Sequence, residues 1–135
     1  MIASDPRFMP RRATKGSAGY DVYAPKRIVL NETEWQTVDL GFRFELGDIP
    51  EGHVALMEVR SSVGAKKGVH LRNALGIIDA DYYENVRATM KTDLGEVVFE
   101  QGDRILQFII VPFVTMRSEI EPVTVRTSGY GSTGQ

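Results

Sequence analysis

Apolar and polar positions alternate with a period of two in two stretches of this chain. Phe42, Phe44 and Leu46 alternate with Arg43 and Glu45, and Val86, Ala88 and Met90 alternate with Arg87, Thr89 and Lys91. A period of two is that of a strand with one buried face. Further short strands are predicted over residues 21–24, closed by Pro25, and over 28–30, 54–59, 97–99 and 122–125. Residues 105–114 are almost continuously apolar, which predicts a strand buried on both faces. Helical patterning is confined to 62–67, with Ser61 or Ser62 as the N-cap and Gly68 just past the end. The first fifteen residues carry two prolines and little periodicity, so they read as an extended lead-in. Many short strands with close turns predict an all-β sandwich, barrel or jelly roll.

The stretch that stands out is 73–83, Asn-Ala-Leu-Gly-Ile-Ile-Asp-Ala-Asp-Tyr-Tyr. It reads as a β-hairpin arm whose backbone can hydrogen-bond a flat ligand, with Gly76 allowing a tight turn or close approach. Asp79 follows two isoleucines, where a carboxylate can be held rigidly and partly dry, as a general base requires. The other reading is a plain strand ending in solvated turn acids.

Composition narrows the class. At 135 residues, 42% hydrophobic and 25% charged, the chain is expected to form one globular domain. A net charge of −2 argues against a general grip on nucleic acid, and the absence of cysteine leaves no disulfide or thiolate metal site. The apolar run from Phe108 to Val114 is interrupted by Pro112 and is far too short to span a membrane. With no signal-peptide pattern at the start, the expected location is the cytoplasm.

Several other residues carry candidate chemistry. Arg60, Ser61 and Ser62 combine a guanidinium, two hydroxyls and a helix start, which suits phosphate but also suits a simple cap. Gln107 is an amide in an apolar strand, an expensive position unless it has partners. Asn73 can donate and accept, and Tyr82 offers a flat face with a polar tip. Residues 126–134, Arg-Thr-Ser-Gly-Tyr-Gly-Ser-Thr-Gly, form a polar, glycine-rich tail in which Arg126 and the backbone suit a phosphate cover, and Tyr130 could stack on a base.

Together these stretches resemble the five motifs of the trimeric dUTPase family (deoxyuridine triphosphate nucleotidohydrolases), in the family's order. They are Ala-Gly-Tyr-Asp-Val at 18–22, the segment from Val59 to Gly68, the 73–83 arm, Gly-Asp-Arg-Ile-Leu-Gln-Phe at 102–108, and the tail. The resemblance implies a distorted jelly-roll-like β-barrel over residues 1–125 and a flexible C-terminal arm over 126–135, assembled as a homotrimer with shared active sites. It implies hydrolysis of dUTP to dUMP and pyrophosphate, with Asp79 activating the water. By the same resemblance Asn73, Gly76, Ile78, Tyr82 and Tyr130 would hold the deoxyuridine, and Arg60, Ser61, Ser62, Gln107, Arg126, Gly131, Ser132 and Thr133 the phosphates. Asp21 would act through water on a Mg²⁺ chelated by the triphosphate. The chain departs from the family pattern at Glu84, where a glycine is usual, and at Ser128 and Tyr130, where glycine and phenylalanine are usual. Other functions fit the same fold: a dCTP deaminase or a bifunctional relative, and a non-catalytic regulator that binds dUTP.

Overall fold

The structure is a computed structural model that describes residues 1–127. Twelve short strands and one helix follow one another as β1 (Ile2–Ala3), β2 (Arg11–Arg12), β3 (Tyr20–Tyr23), β4 (Ile28–Leu30), β5 (Gln36–Asp39), β6 (Phe42–Arg43), β7 (His53–Val59), α1 (Ser61–Lys67), β8 (Val69–Leu71), β9 (Gly76–Ile78), β10 (Arg87–Thr92), β11 (Val97–Phe99) and β12 (Arg104–Pro112). A single 3₁₀ turn, Pro6–Phe8, interrupts the lead-in. Two sheets carry most of the structure: a five-stranded sheet ordered β2-β3-β12-β7-β9 and a three-stranded sheet ordered β5-β10-β8. The pairs β4–β11 and β1–β6 close the sides. All pairings are antiparallel, as a jelly-roll-like barrel requires.

The period-two pattern dictates which face is buried. Val86, Ala88 and Met90 are buried, while Arg87 is exposed. On β7 and β12, Ala55, Met57, Leu106 and Phe108 point inward. Phe108 lies at the centre of an aromatic cluster, 5.0 Å from Tyr20, 5.2 Å from Phe44 and 5.9 Å from Phe42 between ring centroids. Burying rings of this size contributes about 2–3 kcal/mol each before entropy is counted, and here it ties β3, β6 and β12 together.

Four sequence expectations are corrected. The strand at 105–114 is buried on one face only: Gln107, Ile109 and Val111 are half-buried on the outer face, and Phe113 and Val114 lie exposed beyond its end. An apolar run cannot by itself distinguish burial in one chain from burial against another. Residues 122–125 form no strand, and Val123 and Val125 are exposed. Helix α1 is capped by the backbone of Arg60 with no side-chain cap bond, so neither serine is the N-cap. Finally, the 73–83 arm is not a self-paired hairpin. β8 pairs with β10 and β9 pairs with β7, so the arm steps from one sheet to the other.

Candidate active site

The step between sheets shapes the arm. After β8, the Leu75 N–H donates to Asn73 O at 2.7 Å and Ala74 adopts a φ of 63°. That is a tight three-residue turn in a conformation that costs an alanine about 1–2 kcal/mol. It delivers Gly76 opposite Met57, where a Cβ would stand 3.3 Å from Met57 Cβ and 3.4 Å from its carbonyl oxygen. A side chain at position 76 would make β7 and β9 give by a few tenths of an ångström. The expected close approach at Gly76 is therefore made to the chain's own backbone.

β9 and the turn after it wall a cavity of about 230 Å³. Met57, Leu71, Val86 and Ala88 line its apolar part, Asn73 and Thr89 add polar groups, and Asp79 and Tyr82 complete it together with Gly76 and Ile78. Tyr82 is buried, and its hydroxyl donates to the Asn85 carbonyl at 2.9 Å. Asp79 is held by its backbone, whose carbonyl accepts the Tyr82 N–H at 3.1 Å. The carboxylate itself is not dry: its side chain is 55% exposed. Arg126 Nη2 donates to Asp79 Oδ2 at 2.5 Å and Arg126 Nε to Asp81 Oδ1 at 2.9 Å. In the single chain, the arginine expected on phosphate therefore lies against the expected base, 5.8 Å from the Tyr82 ring centroid.

A second, open cavity of about 670 Å³ lies elsewhere. Asp21, Arg60, Ser61 and Gln107 line it, with Gly19 at its edge. Asp21 is buried, and its carboxylate accepts from Arg60 Nε at 3.0 Å and faces Arg104 Nη1 at 3.5 Å. Gln107 stands directly across from Asp21 in the β3–β12 register. Ser62 is exposed on α1 and does not line this cavity.

The donors at Asp21 and Gln107 are hard oxygens, which suit Mg²⁺. Among the described residues, however, no three His, Cys, Asp or Glu side chains converge as a metal site. Asp21, already engaged by two guanidinium groups, has lone pairs left for a water rather than a ready cage. This set fits an ion that keeps its own waters and is carried mainly by phosphate oxygens.

The two cavities open on opposite sides of β7: Met57 lines the first, whereas its neighbours Leu56 and Glu58 line the second. Successive strand residues face opposite ways. One chain therefore brings Asn73, Gly76, Ile78, Asp79, Tyr82 and Arg126 together in one place, and Asp21, Arg60, Ser61 and Gln107 in another. Tyr130, Gly131, Ser132 and Thr133 lie outside the described residues. Sequence reasoning missed the apolar floor of the first cavity, whose only signal was ordinary strand alternation. Arg104 and Gly19 stand within the quoted motifs, but the sequence alone assigns them no role in the site. A Cβ on Gly19 would stand 2.6 Å from Gln107 Oε1, so the glycine keeps room for that amide.

The barrel thus presents an apolar pocket ending in a carboxylate and, separately, an open cradle in which the Arg60 guanidinium, a serine and the oxygen donors of Asp21 and Gln107 meet. The dUTPase family model matches residues 5–134. The chain belongs to the dUTPase family. It is 36% identical over 135 residues to the deoxyuridine 5'-triphosphate nucleotidohydrolase of Lactococcus lactis, covering 93% of this chain and 87% of that one. Among solved structures, a variant of the Staphylococcus bacteriophage 80alpha dUTPase with dUpNHpp superposes with a TM-score of 0.75 at 27% identity, covering 94% of this chain and 96% of that one. A variant dUTPase of the S. aureus phage phi11, described with a structural Mg(II) ion, superposes at 0.73 with 27% identity, covering 90% and 94%.

Proposed function

We propose that this protein hydrolyses dUTP to dUMP and pyrophosphate, and that it does so at sites shared between subunits of a homotrimer. In this reading the first cavity takes the deoxyuridine. Asn73 and the backbone between Gly76 and Ile78 meet the uracil edge, and Tyr82 packs under the deoxyribose, where a 2′-hydroxyl has no room. Asp79 takes a proton from a water whose oxygen attacks the α-phosphorus. The bond from that phosphorus to the bridging oxygen of the β-phosphate breaks, and pyrophosphate leaves. Arg60, Ser61 and Gln107 hold the phosphates; Ser62, which does not line this cavity, is left out of that role. Position and charge neutralisation do most of the work in such a step. A bound Mg²⁺ would neutralise phosphate charge; Asp21, reaching it through water, would orient its hydration shell. Arg126 would leave Asp79 for the phosphates when substrate enters, and residues 126–135, with Tyr130 over the base and Gly131, Ser132 and Thr133 on the phosphates, would cover the site. The reaction would keep uracil out of DNA and supply dUMP, acting on the cytoplasmic nucleotide pool.

The observation that carries the shared site is the placement of the two cavities on opposite sides of β7. With Asp79 on one side of β7 and Arg60 and Gln107 on the other, the phosphate-holding groups in this reading come from a second copy. Exposed Phe113, Val114, Met116 and Ile120 beyond β12 give such a copy an apolar seat. The test mixes two inactive chains, Asp79→Asn and Arg60→Ala, co-refolded in equal amounts. A site whose base and cradle come from different chains is intact with probability one half times one half, so roughly a quarter of the activity should return. No return of activity from mixed trimers of confirmed size would overturn the sharing.

A further inference from the structure

The exit of the arm carries Glu84 and Asn85, and a short chain of hydrogen bonds runs from Asn85 to the wall of the first cavity. The Tyr82 hydroxyl donates to the Asn85 carbonyl at 2.9 Å. The Asn85 side chain in turn donates from Nδ2 to both oxygens of Asp39, at 3.2 and 3.3 Å. Asp39 is itself fixed, because Oδ1 accepts the N–H of Gly41 at 2.8 Å, and Gly41 holds a left-handed φ of 72°. Around this chain the backbone is bolted on both sides: the Leu40 N–H donates to Val86 O at 2.9 Å and the Val86 N–H to Phe42 O at 2.8 Å. Asp39 also sits directly opposite Arg87 in the β5–β10 register. Asp39 and Asn85 are not among the residues that line the cavity.

We infer that Asp39 and Asn85 are positioning residues that fix the Tyr82 ring and thereby set discrimination between deoxyribose and ribose. This rests on the proposed role of Tyr82 under the sugar. A ring that excludes a hydroxyl by contact must be held to a fraction of an ångström, because a ring free to retreat makes room for the extra oxygen. Burial fixes where the Tyr82 ring lies, and its hydroxyl is tied to a backbone carbonyl, that of Asn85. The Asn85 side chain bridges to Asp39 and so ties the exit to β5. Hydrogen bonds to a carboxylate are stronger than neutral ones, which suits a pin of this kind.

The experiment compares kcat/KM for dUTP and UTP in Asn85→Ala, Asn85→Asp, Tyr82→Ala, and the exchange variant Asp39→Asn with Asn85→Asp. Asn85→Asp sets two carboxylates against each other, and the exchange restores the pair with donor and acceptor reversed. The expected result is a drop of about fivefold or more in the dUTP-to-UTP ratio for both single Asn85 variants, the worth of roughly one net hydrogen bond, and its recovery in the exchange variant. Thermal melting run alongside separates loss of stability from loss of selectivity. If the Asn85 variants melt lower yet keep the wild-type ratio while Tyr82→Ala changes it, the bridge is merely structural and the inference is overturned. If Tyr82→Ala also keeps the wild-type ratio, the placement of Tyr82 under the sugar falls first, and the inference falls with it.

Discussion

Replacing Gly19 by alanine should damage catalysis with little effect on the fold. Gly19 lies outside the left-handed region, so its backbone accepts a side chain without strain. The added Cβ would meet Gln107 Oε1 at 2.6 Å and Gln107 Cδ at 3.5 Å. Ordinary van der Waals contact begins at 3.4 Å, so the amide oxygen must retreat by 3.4 − 2.6 = 0.8 Å. The oxygen is the far end of a flexible side chain facing an open cavity, so the movement is cheap and melting should hardly change. An alanine that fits its backbone even narrows the unfolded ensemble, a gain of about 0.4–1 kcal/mol. Displacing a positioning group by about 1 Å can cost on the order of a hundredfold in rate. The assay is pyrophosphate release under kcat/KM conditions for Gly19→Ala, Gln107→Ala and the double variant. The expected outcome is a loss of roughly tenfold to a hundredfold for Gly19→Ala, little of it additional in a chain already lacking the amide. Wild-type kcat/KM in Gly19→Ala would refute the reasoning, since the clash would then not reach any group that matters.

Two further outcomes follow from the site. Asp79→Asn should abolish turnover while leaving calorimetric dUTP binding largely intact, because the amide keeps the shape but cannot take the proton; near wild-type turnover would remove Asp79 from the role of base. Asp21→Asn should raise the Mg²⁺ concentration needed for half-maximal rate, with Mn²⁺ and Mg²⁺ titrations as the readout, and an unchanged metal dependence would detach Asp21 from the ion.

Much of the barrel was legible because strand alternation reports burial directly: Val86, Ala88 and Met90 point in as the period predicts. The errors arose where apolar composition is not matched by burial within the chain. Residues 105–114 read as buried on two faces because they are almost continuously apolar, but within one chain the outer face stays partly open. Residues 122–125 have strand-like composition and no partner strand among the described residues. The motifs named the site residues but gave no distances between them. Strand alternation places Met57 and its neighbour Glu58 on opposite faces, but which residues from other strands meet each of them in a cavity depends on the pairing of β7 in its sheet. Nor could the sequence place Arg126 on Asp79, or Arg104 beside Asp21, since these contacts join residues 47 and 83 positions apart.

The most direct test of the central claim is product analysis with purified protein and Mg²⁺ across dUTP, UTP, dTTP and dCTP, following pyrophosphate and ammonia together. The account predicts pyrophosphate and dUMP from dUTP, with kcat/KM for UTP, dTTP and dCTP lower by orders of magnitude and no ammonia from any of them. Ammonia from dCTP would make the protein a deaminase of the same fold, and tight dUTP binding without pyrophosphate would make it a sensor; either result contradicts the account.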